Sequence, residues 1–273
     1  MKPGRLSAEP PGVRSAYLTM ARNSMRSTFA FRTAFLMAAV AACFQLVATV
    51  ALWSALLSNG GSIGGFTLPE MKAYLLVGYV TGWLGNAIGE WTLANRIRDG
   101  QVALDLVKPI ETQKMMFAQV LGGLPMELIM IVTVGAGFVL VAGPMPGPSN
   151  IPLLLLSLLC VMPIRFCIGF LTTQLVFWTQ NFHGVAWARN ALGAVLSGSL
   201  VPLSLMPGWL QATAAVLPFA SLTSTPALIY LGKVSTSTAY LLIGGQVFWV
   251  VALWFIARVA FRAASRQVTV HGG

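Results

Sequence analysis

The stretch "MMFAQVLGGLPMELIMIVTVGAGFVLV", Met115 to Val141, carries a single charged side chain, Glu127. A helix rises ~1.5 Å per residue and needs ~20 apolar residues to cross a bilayer core, so this run is long enough to span a membrane. Five more segments match it in length and character: Ala34 to Leu57, Met71 to Trp91, Pro152 to Trp178, Ala188 to Leu205 and Ala239 to Ala260. With 56% hydrophobic and 9% charged residues and a mean hydropathy of +0.77, too little polar surface remains to coat a soluble globule. The sequence therefore predicts an all-α integral membrane protein with six transmembrane helices in one domain, residues 34–262. A cytoplasmic arm, 1–33, precedes it and a cytoplasmic tail, 263–273, follows.

The connections "SNGGSIGGFTLPE" and "AGPMPGPSN" are rich in helix-breaking Gly, Pro, Ser and Asn. Placing the N-terminus in the cytoplasm puts fourteen of the seventeen Lys and Arg residues inside, and only Lys72 and Lys233 outside. That asymmetry predicts cytoplasmic termini and residence in the cytoplasmic membrane. The net charge of +10 then faces anionic lipid headgroups rather than nucleic acid. Cys43, Cys160 and Cys167 lie inside apolar runs without metal-site or disulfide spacing and read as small buried hydrophobes.

Residues Val13 to Arg32 form an imperfect amphipathic helix, with Tyr17, Met20, Ser24 and Phe31 near one face and Arg22 and Arg26 on the other. Such a helix suits the membrane interface. Between the last two spans, "VPLSLMPGWLQATAAVLPFASLTSTPALIYLGK" is apolar but broken by Pro202, Pro207, Pro218 and Pro226. Proline removes an amide donor and clashes with the preceding turn, so two short helices in an outer re-entrant hairpin fit better than a span.

Three constellations stand out. Gly78, Gly82, Gly85 and Gly89 fall on one stripe if the second span is a continuous helix, a surface for close packing within the subunit or at a dimer seam. Glu127 and Arg165 sit at matching depth in consecutive antiparallel spans, each two residues after a proline, Pro125 and Pro163. They are expected to pair or to line a wet pathway, because an isolated charge in lipid costs ~2.5–3.5 kcal/mol. The third is "RIRDGQVALDLVKPI", Arg96 to Ile110, which holds both aspartates of the chain. Val102, Leu106 and Val107 share one helical face, so a short amphipathic helix parallel to the membrane is expected there. Mixed charge suits a protein partner better than lipid.

No enzyme motif accompanies these features. Gly232-Lys233 lacks the glycine spacing of a phosphate-binding loop, and His183 and His271 have no ligand partners at metal spacing. Any energy from ATP would therefore have to come from another polypeptide.

Taken in order, the basic arm, the six spans, the charged island and the outer hairpin resemble the permease subunits of ABC transporters of the type-2 export class, over roughly Ser24 to Arg266. The resemblance implies that the island forms a coupling helix docked on an ATPase subunit, with Arg96, Arg98, Asp99, Gln101 and Asp105 as docking candidates. It implies two permeases, identical or paralogous, with two ATPase subunits that hold ATP and Mg, no cofactor bound by this chain, and export of an amphiphilic or hydrophobic substrate. A membrane scaffold without transport activity and a secondary transporter are the competing readings, the latter supported only by Glu127 and by no internal repeat.

Overall fold

A computed structural model of the chain describes residues 13–30, 32–57, 61–85, 88–103, 111–179 and 181–267. The described residues are helical, without strands; a lone bridge joins Ile63 and Phe66. The α-helices are α1 (Val13–Ala30), α2 (Arg32–Leu56), α3 (Leu68–Trp83), α4 (Ile88–Arg98), α5 (Thr112–Ala142), α6 (Ile151–Gln174), α7 (Phe182–Leu196), α8 (Gly208–Val216), α9 (Ser224–Leu231) and α10 (Thr236–Ala264).

Among the described residues, four continuous stretches are long and apolar enough to cross a membrane: Leu36–Leu56, Thr112–Ala142, Ile151–Phe177 and Thr236–Ala264. They correspond to the first, third, fourth and sixth expected spans. The other two expected spans depart from the prediction. The second is not one helix from Met71 to Trp91, because α3 stops at Trp83 and Gly85 takes a left-handed φ of 73° before α4 begins. Only a residue without Cβ adopts that conformation at no steric cost. The four-glycine stripe is corrected accordingly: Gly78 and Gly82 lie on α3, Gly85 forms the break and Gly89 lies on α4, so no single helix face carries all four. The fifth expected span, drawn to Leu205, ends its helix at Leu196. Gly198 then turns the chain with a φ of 77°.

Local chemistry explains the helix ends. The Asn150 side chain accepts from the Leu153 amide to start α6, with Pro152 in the first turn, and the Ser235 hydroxyl accepts from the Thr238 amide to start α10. Glu70 Oε2 accepts from both the amide and the hydroxyl of Thr67 at the start of α3. Pro125 and Pro163 are accommodated inside α5 and α6.

The helices pack in pairs. α6 and α10 run together, tied by Gln246 Nε2 donating to the Ser157 carbonyl (3.4 Å) and Gln174 Nε2 donating to the Ala257 carbonyl (3.0 Å). In lipid such amide bonds satisfy groups that no water reaches. α1 lies along the start of α5 in the opposite direction, with Ala21 against Gly122 and the Ser24 hydroxyl donating to the Gln119 carbonyl (2.8 Å). A Cβ at Gly122 would overlap the Ala21 backbone, so glycine permits this approach. Between α7 and α10 the chain forms two short helices, α8 and α9, of which α9 packs on α3, α6 and α10.

The helix ends also sort by charge. At one end Arg258 pairs with Glu111 (2.7 Å), near Lys114 (3.6 Å), and Gln113 Nε2 donates to the Trp254 carbonyl (3.1 Å). At the opposite end Lys72 donates to the Ala142 carbonyl, and Lys233 reaches Glu70 (2.8 Å), the Gly65 carbonyl (2.7 Å) and the face of Phe66. The end with Arg258 and the end with Lys72 and Lys233 are thus opposite poles of one bundle.

Candidate functional site

One face of α6 organises the polar interior. Met162, Arg165, Gly169 and Thr172 are spaced by three, four and three residues, which places them along a single helical face. Each meets a different part of the broken second span or of α7. Met162 packs against Gly85 at the break. Gly169 receives the Glu90 carboxylate so closely that a Cβ there would overlap Glu90 Oε1. Thr172 accepts from Arg189 Nη1 (3.2 Å).

Glu90 and Arg189 form the strongest pair of this face. Arg189 Nη1 lies 2.5 Å from Glu90 Oε2, with side-chain exposures of 17% for the arginine and 9% for the glutamate. The remaining Arg189 donors go to Asn190 Oδ1, from Nε (3.3 Å) and from Nη2 (3.0 Å). A guanidinium placed this way is fixed by its planar donor fork, which a lysine would not reproduce. The ring of Trp91 stands edge-on to Phe182 at 4.7 Å and near His183 at 4.6 Å, holding the start of α7 against α4.

The two charges expected to meet, Glu127 and Arg165, occupy neighbouring settings. Glu127 is buried, and its Oε2 accepts from the Gly85 amide at 2.9 Å. The helical bond pattern of α3 closes with the Leu84 amide on the Val80 carbonyl, so the next amide needs an acceptor from elsewhere. Arg165 lies in the electrostatic field of Glu90, Glu127 and Arg189, and its Nε is buried without a hydrogen-bond partner among the described residues.

Between α2, α3, α4, α6 and α7 lies a cavity of ≈ 580 Å³. Arg165, Glu90 and Arg189 supply its charges, Gln45 and Thr49 on α2 add polar groups, and Leu46 and Trp83 are among its apolar walls. It can hold water or a solute beside charge within the span, where an unsolvated arginine would cost ~2.5–3.5 kcal/mol.

The charged island begins where α4 ends. Arg98, Asp99 and Gln101 are exposed and Arg96 is partly exposed, while Val102 is buried (1%) in the cluster of Leu93 and Met115. The segment is therefore pinned by Val102 with its polar residues outward. Asp105, with Leu106 and Val107, lies outside the described residues.

Sequence reasoning brought Glu127 and Arg165 to attention but missed the Glu90–Arg189 pair. The signal was present as the α6 stripe: a polar, charged or small residue recurring at helical spacing inside an otherwise apolar span. Arg189, which entered the reading only through the count of inner charges, meets that stripe in space.

The described residues contain no group of three or more His, Cys, Asp or Glu able to hold a metal ion. A family model described as "ABC-2 family transporter protein" matches residues 43–272. No curated protein matches the chain.

Proposed function

The chain belongs to the ABC-2 transporter family, and from that premise we propose that it is the membrane-spanning permease of an ATP-driven exporter, energised by a separate ATPase subunit. The observation that carries the coupling is the polar, outward-facing segment Arg96 to Gln101 at the foot of α4, a helix separated from α3 by the turn at Gly85. In this reading Arg96, Arg98, Asp99, Gln101 and Asp105 dock on the ATPase. Two ATPase subunits bind ATP and Mg, and two permeases, identical or paralogous, complete the assembly.

The second and fifth spans are completed by α3 with α4 and by α7, giving six crossings with both termini in the cytoplasm of a cell whose inner membrane holds the complex. Closure of the ATPases pushes the foot of α4, and the Glu90–Arg189 pair carries that movement to α7. The cavity walls then rearrange, exposing an amphiphilic or hydrophobic substrate to the outer side. Support for such a substrate comes from a path that combines charges with Trp and Leu walls.

The test is co-purification of the tagged chain in detergent with a Walker-motif ATPase, followed by measurement of that ATPase with and without the permease. A stable complex with permease-dependent ATP hydrolysis is expected. Absence of any nucleotide-hydrolysing companion would return the scaffold reading.

A further inference from the structure

We propose that the cavity is a binding site for the anionic headgroup of a single-chain or lipid-like amphiphile, with Arg165 as the residue that takes the anion. That this ligand is cargo rests on the permease reading; that it binds does not. Three observations meet here. First, Arg165 lines the cavity, and its Nε is buried without a hydrogen-bond partner among the described residues. Second, the nearby carboxylates have other work: Glu90 is held by Arg189 at 2.5 Å, and Glu127 accepts from the Gly85 amide at 2.9 Å. Third, of the charges that line the cavity Glu90 and Arg189 are paired with each other, which leaves Arg165 as the lining charge with no ion-pair partner in the lining, while Glu127, whose field reaches Arg165, stands outside the lining.

A guanidinium presents several donors in a plane and matches the oxygens of phosphate or carboxylate in a bidentate manner. The apolar part of the cavity, with Leu46, Tyr79, Trp83 and Ile168 in its lining, gives a hydrocarbon tail a place beside that headgroup. A free inorganic anion would use the first element and leave the second empty. A cationic amphiphile would fit the second and be repelled by the first.

The experiment uses the full chain reconstituted in phosphatidylcholine nanodiscs, with equilibrium binding of radiolabelled dodecyl phosphate. Dodecyltrimethylammonium is the cationic counterpart, and inorganic phosphate is the competitor without a tail. Saturable binding of dodecyl phosphate is expected, with at least about tenfold weaker affinity in Arg165→Gln, equivalent to ~1.4 kcal/mol. Arg165→Lys keeps the charge and is expected to lose less. Gly82→Leu provides an independent variant: a Cβ at Gly82 meets nothing within 4 Å, and Gly82 lines the cavity, so a larger side chain fills the space while Arg165 stays intact. It too is expected to abolish saturable binding.

Unchanged affinity in both Arg165→Gln and Gly82→Leu would overturn the site. Equal binding of the cationic amphiphile would overturn the anion assignment, and equal competition by inorganic phosphate would overturn the amphiphile assignment. Binding reads the site without any ATPase, whereas co-purification reads the permease without any ligand, so either can fail alone.

Discussion

Neutralising either member of the Glu90–Arg189 pair is expected to cost far more than neutralising both. Breaking a buried pair by removing one partner typically costs ~3–5 kcal/mol, since the other charge is left without compensation. Here the cavity lets water reach the survivor; in Glu90→Gln the arginine keeps Thr172 and Asn190 as partners, and in Arg189→Gln the glutamate stays in the field of Arg165, so the expected loss is reduced to about 2–3 kcal/mol for either. Removing both charges leaves no ion to solvate and is expected to lie within about 1 kcal/mol of wild type. The coupling in a double-mutant cycle is then several kcal/mol, well above the few tenths by which independent sites deviate. For a chain of this size that corresponds to single-variant midpoints lower by about 5–10 °C. The assay is fluorescence-detected size exclusion of the detergent-solubilised full chain after heating. Gly169→Ala offers the steric equivalent with no charge altered, because the new methyl group displaces Glu90 from its seat. The reasoning is refuted if the double variant falls by the sum of the two singles, or if Gly169→Ala melts with wild type.

Other outcomes follow from separate features. Reversing Arg98 and Asp99 together, as Arg98→Glu with Asp99→Arg, is expected to lower ATPase recovery in the co-purification at least several-fold while leaving the melting midpoint within about 2 °C, since both side chains are exposed. Glu70, just before the apolar run that starts at Met71, is pushed up by partial burial, but hydrogen bonds from Lys233 and Thr67 outweigh this and hold its carboxyl below the ordinary 4.5. Its lowered pKa means that it stabilises the fold fully above the unfolded value and loses that contribution as pH falls through the folded value. The midpoint difference between wild type and Glu70→Gln should therefore shrink as pH drops below 4.5, and a difference that widens would contradict the Lys233 pairing. Gly122→Leu is expected to drive α1 off α5, read as several-fold loss of disulfide formation between Ser24→Cys and Gln119→Cys, two positions bonded in the native packing.

How far the sequence reached depended on which physical signal each element leaves. Continuous apolar length identified α2, α5, α6 and α10, because no other property is needed for a helix to sit in lipid. Proline spacing identified α8 and α9. The break at Gly85 was invisible to the same reasoning, since glycine is common in transmembrane helices and the acceptor of its freed amide, Glu127, lies 42 residues away. The depth argument for Glu127 and Arg165 placed both near the polar interior, yet the partners seen at each end of that interior, Gly85 and Arg189, come from packing that no linear spacing encodes. Charge counting gave Arg189 to the inner total without a partner, because a long side chain can reach a turn or more from its own Cα.

The interruption at Gly85 divides the second span into parts with different allegiances. α3 is bound to the turn after α7 through Tyr74, whose hydroxyl donates to the Gly198 carbonyl (2.9 Å), and to the segment before α9 through Thr81 against Thr223 (3.2 Å). α4 answers instead to α6 and α7, through Gly169 and Arg189. A joint with no side chain of its own lies between them, so in the proposed permease any torque applied at the foot of α4 would be delivered sideways to its neighbours, and the α3 half could keep its grip while the α4 half swings.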